Sequence, residues 1–223
     1  KLLSVAGLFR ALTACEQHLC VRLLPDLPRP PQSMIENIDR EYRPQTKLFR
    51  PDSESHVAID ATDDWREQDY EWIKPMASNN NVRYRFNERD TAWVRANVAP
   101  VFEENNSGVM FFDHPQLPHT DTTRRFVLLY NVEVGGDDAA LTFWRQRGHP
   151  VERGRGLAVP PGQDLQMLDQ VKGPVDCWFL VAASVLHSVE GVSERRTNLQ
   201  VSFNELPDRF KHLEQSVWES TEL

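Results

Sequence analysis

An imidazole and a carboxylate stand two residues apart at His119-Thr120-Asp121. In an extended backbone, residues i and i+2 project from one face, so these two side chains reach the same point while Thr120 turns away. A third ligand must come from another strand. His187, within Val185-Leu186-His187-Ser188-Val189, supplies it 68 residues after His119. Two histidines and one carboxylate on one face of an octahedral metal leave three positions open. That donor set suits Fe(II), and the open positions admit a bidentate 2-oxo acid and dioxygen. A lone His-x-Asp pair says little, and a lone strand histidine is more often a satisfied core residue, so the expectation rests on the combination.

Nine residues past His187 comes Arg196, in Arg195-Arg196-Thr197-Asn198-Leu199-Gln200-Val201-Ser202-Phe203. A guanidinium can hold the distal carboxylate of 2-oxoglutarate through two parallel charge-assisted hydrogen bonds. Leu199, Val201 and Phe203 share one face of this segment, suited to packing on helices. Arg196, Asn198, Gln200 and Ser202 share the opposite, polar face. Parity therefore assigns the clamp to Arg196 and turns Arg195 outward, unless a bulge exchanges the two.

The elements that would position these residues change character along the chain. From about residue 107, short β runs are broken by turns, with strands expected over 109–113, 126–133, 139–144, 156–159, 165–171, 175–181, 185–189 and 197–203. Eight short strands in that span imply an antiparallel sandwich or barrel. Upstream, apolar residues over 2–23 recur at spacings of three and four, as on a helix face. The proline-rich 25–31 reads as a connector. Ser33 and Glu36 fit a capping box opening a helix to about Tyr42. A further helix is expected over 62–73, and alternation over 82–86 reads as a strand. Asp90 looks like the N-cap of a helix running toward Pro100. A last helix is expected over 208–219. One domain results, with a mainly helical buttress (1–106), a β core (107–205) and a C-terminal helix (206–223).

At these residues the chain resembles the 2-oxoglutarate- and Fe(II)-dependent dioxygenases, particularly their prolyl-hydroxylase-like branch. The resemblance runs from His119-Thr120-Asp121 through Arg125-Phe126-Val127-Leu128-Leu129-Tyr130-Asn131, Gly135-Gly136, Leu141-Thr142-Phe143 and Pro160-Pro161-Gly162 to His187 and Arg196. It covers about half the chain, from Val109 to Phe203. It implies a double-stranded β-helix (jelly-roll, cupin-like) core, mainly β with flanking α-helices. Fe(II) would be held by His119, Asp121 and His187, and the co-substrate 2-oxoglutarate by Arg196. Tyr130 is the nearest match to a tyrosine that in that branch helps hold the co-substrate, a core position being the alternative. Dioxygen would be consumed, succinate and CO2 released and a substrate hydroxylated. The carboxylate retained at Asp121 separates the chain from related halogenases, in which a small residue makes room for chloride. Asp137-Asp138-Ala139-Ala140 intrude where the family runs directly from Gly-Gly into a strand.

Bulk properties narrow the partners. The 223 residues carry a formal net charge of -8, which repels phosphate backbones, so no nucleic-acid partner is expected. No apolar stretch is long enough for a membrane span. The three cysteines, Cys15, Cys20 and Cys177, form no disulfide framework and fit a reducing cytoplasm. Cys15, His18 and Cys20 lack the paired spacing of a zinc site. His114 reads as a loop histidine flanking the pocket without a metal role, and Arg124 and Arg125 either meet an anionic substrate or 2-oxoglutarate or form surface or sheet-edge ion pairs. A small-molecule substrate such as an amino acid or natural-product intermediate is expected. A protein or peptide hydroxylase and a non-catalytic metal-binding cupin are the alternatives, and the oligomeric state stays open.

Overall fold

A computed structural model describes residues 18–45, 82–112, 115–121, 123–146 and 165–213. The described chain is mainly β. Strands β1 (Val21–Leu24), β2 (Val82–Tyr84), β3 (Gly108–Phe112), β4 (Gln116–His119) and β5 (Phe126–Val134) are followed by β6 (Ala140–Gln146), β7 (Leu165–Val171), β8 (Trp178–Ala182), β9 (His187–Glu190) and β10 (Arg196–Phe203). They form two antiparallel sheets, ordered β1-β8-β5-β10-β3-β2 and β4-β9-β6-β7. From β3 onward the chain changes sheets at every step except β6 to β7. Sequence-adjacent segments therefore end on facing walls, which is what brings His119 and His187 to the same wall as Arg196 reaches from the other.

Strand parity builds two cores. On β5, Phe126, Leu128 and Tyr130 face away from the small sheet. They join Leu199, Val201 and Phe203 of β10 and the helical residues Met34, Ile38, Val94 and Val98. Val127 and Leu129 face inward, with Val181 from the large sheet and Leu141, Phe143 and Val189 from the small one. Each such fully buried apolar side chain contributes about 1.5–3 kcal/mol of transfer free energy. The β5–β10 register shifts between Thr197 and Asn198: Thr197 pairs with Glu133 but Asn198 with Asn131. The extra residue, Val132, belongs to β5. On its other side β10 pairs with β3 without interruption. The bulge therefore leaves the facing of Arg196 as strand parity assigns it.

Helix α1 (Gln32–Asn37) begins after Pro31, whose carbonyl accepts from Met34 and Ile35, and no side chain caps it. Ser33 is thus inside the helix, its hydroxyl accepting from Arg89, and the capping-box reading is corrected. A wider π turn follows over Ile38–Tyr42. Helix α2 (Glu88–Asn97) is capped by Asn87, whose side-chain oxygen accepts the Asp90 N–H at 2.8 Å. Asp90 lies three positions too late to be the cap.

Residues 21–24 form a strand, contrary to the helical spacing. They pair with Val181, Leu180, Phe179 and Trp178 at the edge of the large sheet, and this non-local pairing overrides a pattern read over one short window. With β1 and β2, the described part of 1–106 is less helical than expected. At the β5-to-β6 corner Asp137-Asp138 forms a turn after Gly135 and Gly136, at φ +93° and +103°. The segment expected over 175–181 becomes regular only at Trp178, after a single bridge from Val175 to Asn131. At the C-terminal end a 3-10 turn, Asp208–Phe210, runs into a helical residue triplet 211–213. The expected helix 62–73, strand 156–159, His114, residues 1–17 and the end of the last helix lie outside the described residues. Among the described residues no helix is long and apolar enough to cross a membrane.

Candidate metal centre

The antiparallel pairing of β4 with β9 sets His119 directly opposite His187. Their rings lie 4.5 Å apart between centroids, tilted by 48°. Strand β4 ends at His119, and Asp121 follows it, held by its main-chain N–H donating to the Ala183 carbonyl at 3.0 Å. One carboxylate oxygen of Asp121 lies 4.0 Å from Nε2 of His119. Ligand atoms of His119, Asp121 and His187 all fall within 4.8 Å of one another. This spacing lets one ion touch all three, and the group could hold a metal ion.

Neighbouring groups fix each ligand's orientation. Nδ1 of His187 sits 2.8 Å from the Val185 carbonyl. A carbonyl only accepts, so Nδ1 carries the proton and Nε2 keeps its lone pair toward the cavity. Burial, reinforced by His119, holds His187 at about 4, so the ring is neutral and competent as a ligand at neutral pH. Nε of Arg124 donates to one oxygen of Asp121 at 2.6 Å, leaving the other oxygen for the metal. Nη1 of Arg124 donates to Gln200 at 2.7 Å and to Ser202 at 3.1 Å on β10. Burial alone would push the Asp121 carboxyl up. The Arg124 guanidinium, with the two histidines, outweighs it and keeps the group below the usual carboxylate range.

Arg196 enters from the opposite wall. It is 1% exposed, and among the described residues its Nε has no hydrogen-bond partner and its guanidinium no carboxylate. The guanidinium lies 5.4 Å over the Phe112 ring. Burial lowers it from 12.5 to about 10, so it remains a cation at neutral pH. Buried charges are ordinarily paired, because their desolvation is otherwise uncompensated. An unpaired guanidinium in the cavity that also holds the ligand cluster is therefore matched to an incoming anion. Both line one cavity of about 320 Å³, together with Val127, Leu129, Asn198 and Gln200.

Four of the five expected site residues meet here. Tyr130 does not. Its parity on β5 is that of Phe126 and Leu128, so it packs with the outer core. Its ring lies 5.3 Å from that of Trp178 and its hydroxyl donates to Asp176 at 3.1 Å. Val127 and Leu129 occupy the cavity face instead. The core position of Tyr130 holds, and its co-substrate role is corrected. Arg195 likewise stays out of this cavity and borders a second one beside Gly135 and Asp138. The role of Arg124 toward Asp121 was missed in the sequence, although its i+3 spacing from that ligand was a usable signal. Away from the site, His18 pairs with Asp169 at 2.8 Å. Burial raises the Cys20 thiol to about 12, and among the described residues neither joins a second cluster of metal-ligating groups.

Comparison with protein-family models gave no match, and no curated protein is significantly similar to the chain.

Proposed function

We propose that this protein is a non-haem Fe(II)- and 2-oxoglutarate-dependent dioxygenase that hydroxylates a small molecule. Its two sheets, with the chain alternating between them, are read as a double-stranded β-helix of the jelly-roll type. The observation that carries the proposal is the joint placement of the His119–Asp121–His187 cluster and the unpaired, buried Arg196 in one cavity. A metal-binding barrel without turnover has no use for a buried cation that burial itself penalises, whereas a dicarboxylate co-substrate supplies its counter-charge.

In this reading His119, Asp121 and His187 hold Fe(II) and leave adjacent positions open. Arg196 binds the distal carboxylate of 2-oxoglutarate in a bidentate pair, fixing the co-substrate's reach toward the metal. Val127, Leu129, Leu141 and Val189 give that co-substrate an apolar sleeve that excludes water and strengthens the ion pair. Arg124 keeps Asp121 charged and turned toward the metal. The iron, when bound, supplies the oxidative chemistry that converts 2-oxoglutarate and dioxygen to succinate and CO2 and hydroxylates the substrate. The cavity's volume of about 320 Å³ lies near the lower end for small-molecule sites, which supports a small substrate over an extended peptide. Cys20 and Cys177 are free thiols, in keeping with a reducing cytoplasm that would also keep iron ferrous.

Anaerobic titration with Fe(II) and 2-oxoglutarate tests the proposal. A chelated 2-oxo acid on an open Fe(II) site gives a weak visible charge-transfer band. The band is expected in the parent protein and lost in Asp121→Ala. Bound iron without a band would refute 2-oxoglutarate as the co-substrate, and stoichiometric iron in His187→Ala would refute the ligand set.

A further inference from the structure

The cavity holds more positive charge than the metal ligands and the co-substrate clamp account for. Among the described residues it is lined by Arg83, Arg124 and Arg196 and by a single carboxylate, Asp121. With both imidazoles neutral as ligands, the lining carries a net +2. A divalent metal raises it to +4, and a doubly charged co-substrate brings it back to +2. The chain as a whole is at -8, so this excess is local.

The three arginines have different commitments. Arg124 is engaged by Asp121, Gln200 and Ser202. Arg196 is assigned to the co-substrate by the reading above, on which this inference rests for the metal and 2-oxoglutarate. Arg83 is left without a carboxylate partner among the described residues. Its hydrogen bonds go to neutral acceptors of Asn106, at 3.2 Å and 3.4 Å. Those lengths are at the weak end for N–H···O contacts. Arg83 is near enough to the metal cluster that, after partial burial, the charges of Arg124 and Asp121 are what most act on it.

Sheet register places Arg83 in a usable geometry. Arg83 on β2 pairs with Met110 on β3, and Met110 pairs with Asn198 on β10. All three line the cavity, so they form one row across the large sheet's inner face. Arg83 and Asn198 are two strands apart, about 10 Å. Asn198 accepts from Nε2 of Gln200 through its side-chain oxygen at 2.9 Å, which turns its NH2 donors to other partners. The next row along pairs Arg196 with Phe112. Arg83 is exposed, whereas Met110 and Asn198 are buried, as are Phe112 and Arg196, so the Met110 row runs from the cavity's open edge at Arg83 inward to Asn198.

We propose that the primary substrate is a small carboxylate, whose charged group is bound by Arg83 at the cavity's open edge, its body lying over Met110 toward the Asn198 amide and the metal. A guanidinium at the mouth also favours the encounter, because the acidic surface otherwise repels anions. The two cationic positions are not equivalent: the enclosed one suits the invariant co-substrate, and the open one leaves room for a substrate that must enter and leave each cycle.

The test compares small carboxylates with their primary amides, using the amino acids and linear mono- and dicarboxylic acids of two to six carbons as probes. Binding is read by thermal shift and calorimetry on full-length protein loaded with Mn(II) and 2-oxoglutarate, which removes turnover as a readout. At least one carboxylate is expected to bind about tenfold or more tightly than its amide. Arg83→Gln should reduce that ratio to within about threefold, with Mn(II) and 2-oxoglutarate affinities altered by no more than about threefold, since Arg83 hydrogen-bonds to no metal ligand among the described residues. Equal binding of acid and amide by the parent, a ratio unaltered in Arg83→Gln, or no binding by any carboxylate would overturn the proposal and leave Arg83 a solvated arginine tied to Asn106. Should Mn(II) and 2-oxoglutarate themselves fail to bind, the dioxygenase reading fails. The acid-to-amide ratio measured on the metal-free protein then decides the anion site separately.

Discussion

Replacing Arg196 with methionine should move stability and co-substrate binding in opposite directions. In the ligand-free protein the guanidinium is 1% exposed and its Nε is unpartnered. Burial brings it from 12.5 to about 10, and at about 1.4 kcal/mol per tenfold this is a desolvation cost of about 3 kcal/mol. The stacking of the cation on Phe112 at 5.4 Å returns about 1 kcal/mol. Methionine occupies similar space without charge and adapts to an irregular core. Metal-free Arg196→Met should therefore be about 2 kcal/mol more stable than the parent, in line with other replacements of buried charges by apolar residues. Urea unfolding followed by tryptophan fluorescence should show a midpoint raised by about 1 M, for a slope of about 2 kcal/mol per molar. The same substitution removes two charge-assisted hydrogen bonds to the dicarboxylate, about 1.5–3 kcal/mol each. Affinity of the Mn(II)-loaded protein for 2-oxoglutarate should fall at least about a hundredfold. A variant less stable than the parent would show that the cation is internally compensated, and an affinity within a few-fold of the parent's would falsify the clamp.

Two further substitutions probe the support of the site. Arg124→Ala removes the donor to Asp121 Oδ2 at 2.6 Å, and metal affinity in a chelator competition should drop about 10–100-fold; an unchanged Kd would mean that Asp121 orients without it. Tyr130→Phe should leave 2-oxoglutarate affinity unaltered and cost about 1 kcal/mol through the lost hydrogen bond to Asp176. Burial, then that hydrogen bond, raises Tyr130 from 10.0 to about 12. Between those pH values the unfolded chain has released a proton that the folded protein keeps, so stability falls as pH rises. The variant's stability should decline less steeply over that window, and identical alkaline limbs for the two proteins would refute this origin of the slope.

The sequence by itself determined whatever depends on spacing within one strand. On β10 parity separated Arg196, Asn198 and Gln200 from Leu199, Val201 and Phe203, because the alternation of an extended backbone is local; the i, i+2 spacing also brought Asp121 beside His119, although β4 ends at His119 and the Ala183 carbonyl holds Asp121 in place. Runs of alternating or apolar residues also marked most of the β core, with boundaries a few residues off where Val175 bridges singly and where His187 begins its strand. Pairing between distant segments was not legible. Val21–Leu24 looked helical by spacing, and only the edge of β8 made it a strand. The pairing of His119 with His187 is a register between strands more than sixty residues apart, which no periodicity encodes. The facing of Tyr130 required knowing which side of β5 the barrel lies on, and the bulge at Val132 could be assigned to β5 only once both neighbours of β10 were seen. The reach of Arg124 to Gln200 and Ser202 on β10 and the row Arg83–Met110–Asn198 arise the same way. A side chain's type is written in the sequence, but its partner is chosen by the fold, since contact energies act between surfaces that only tertiary packing brings within a few ångströms.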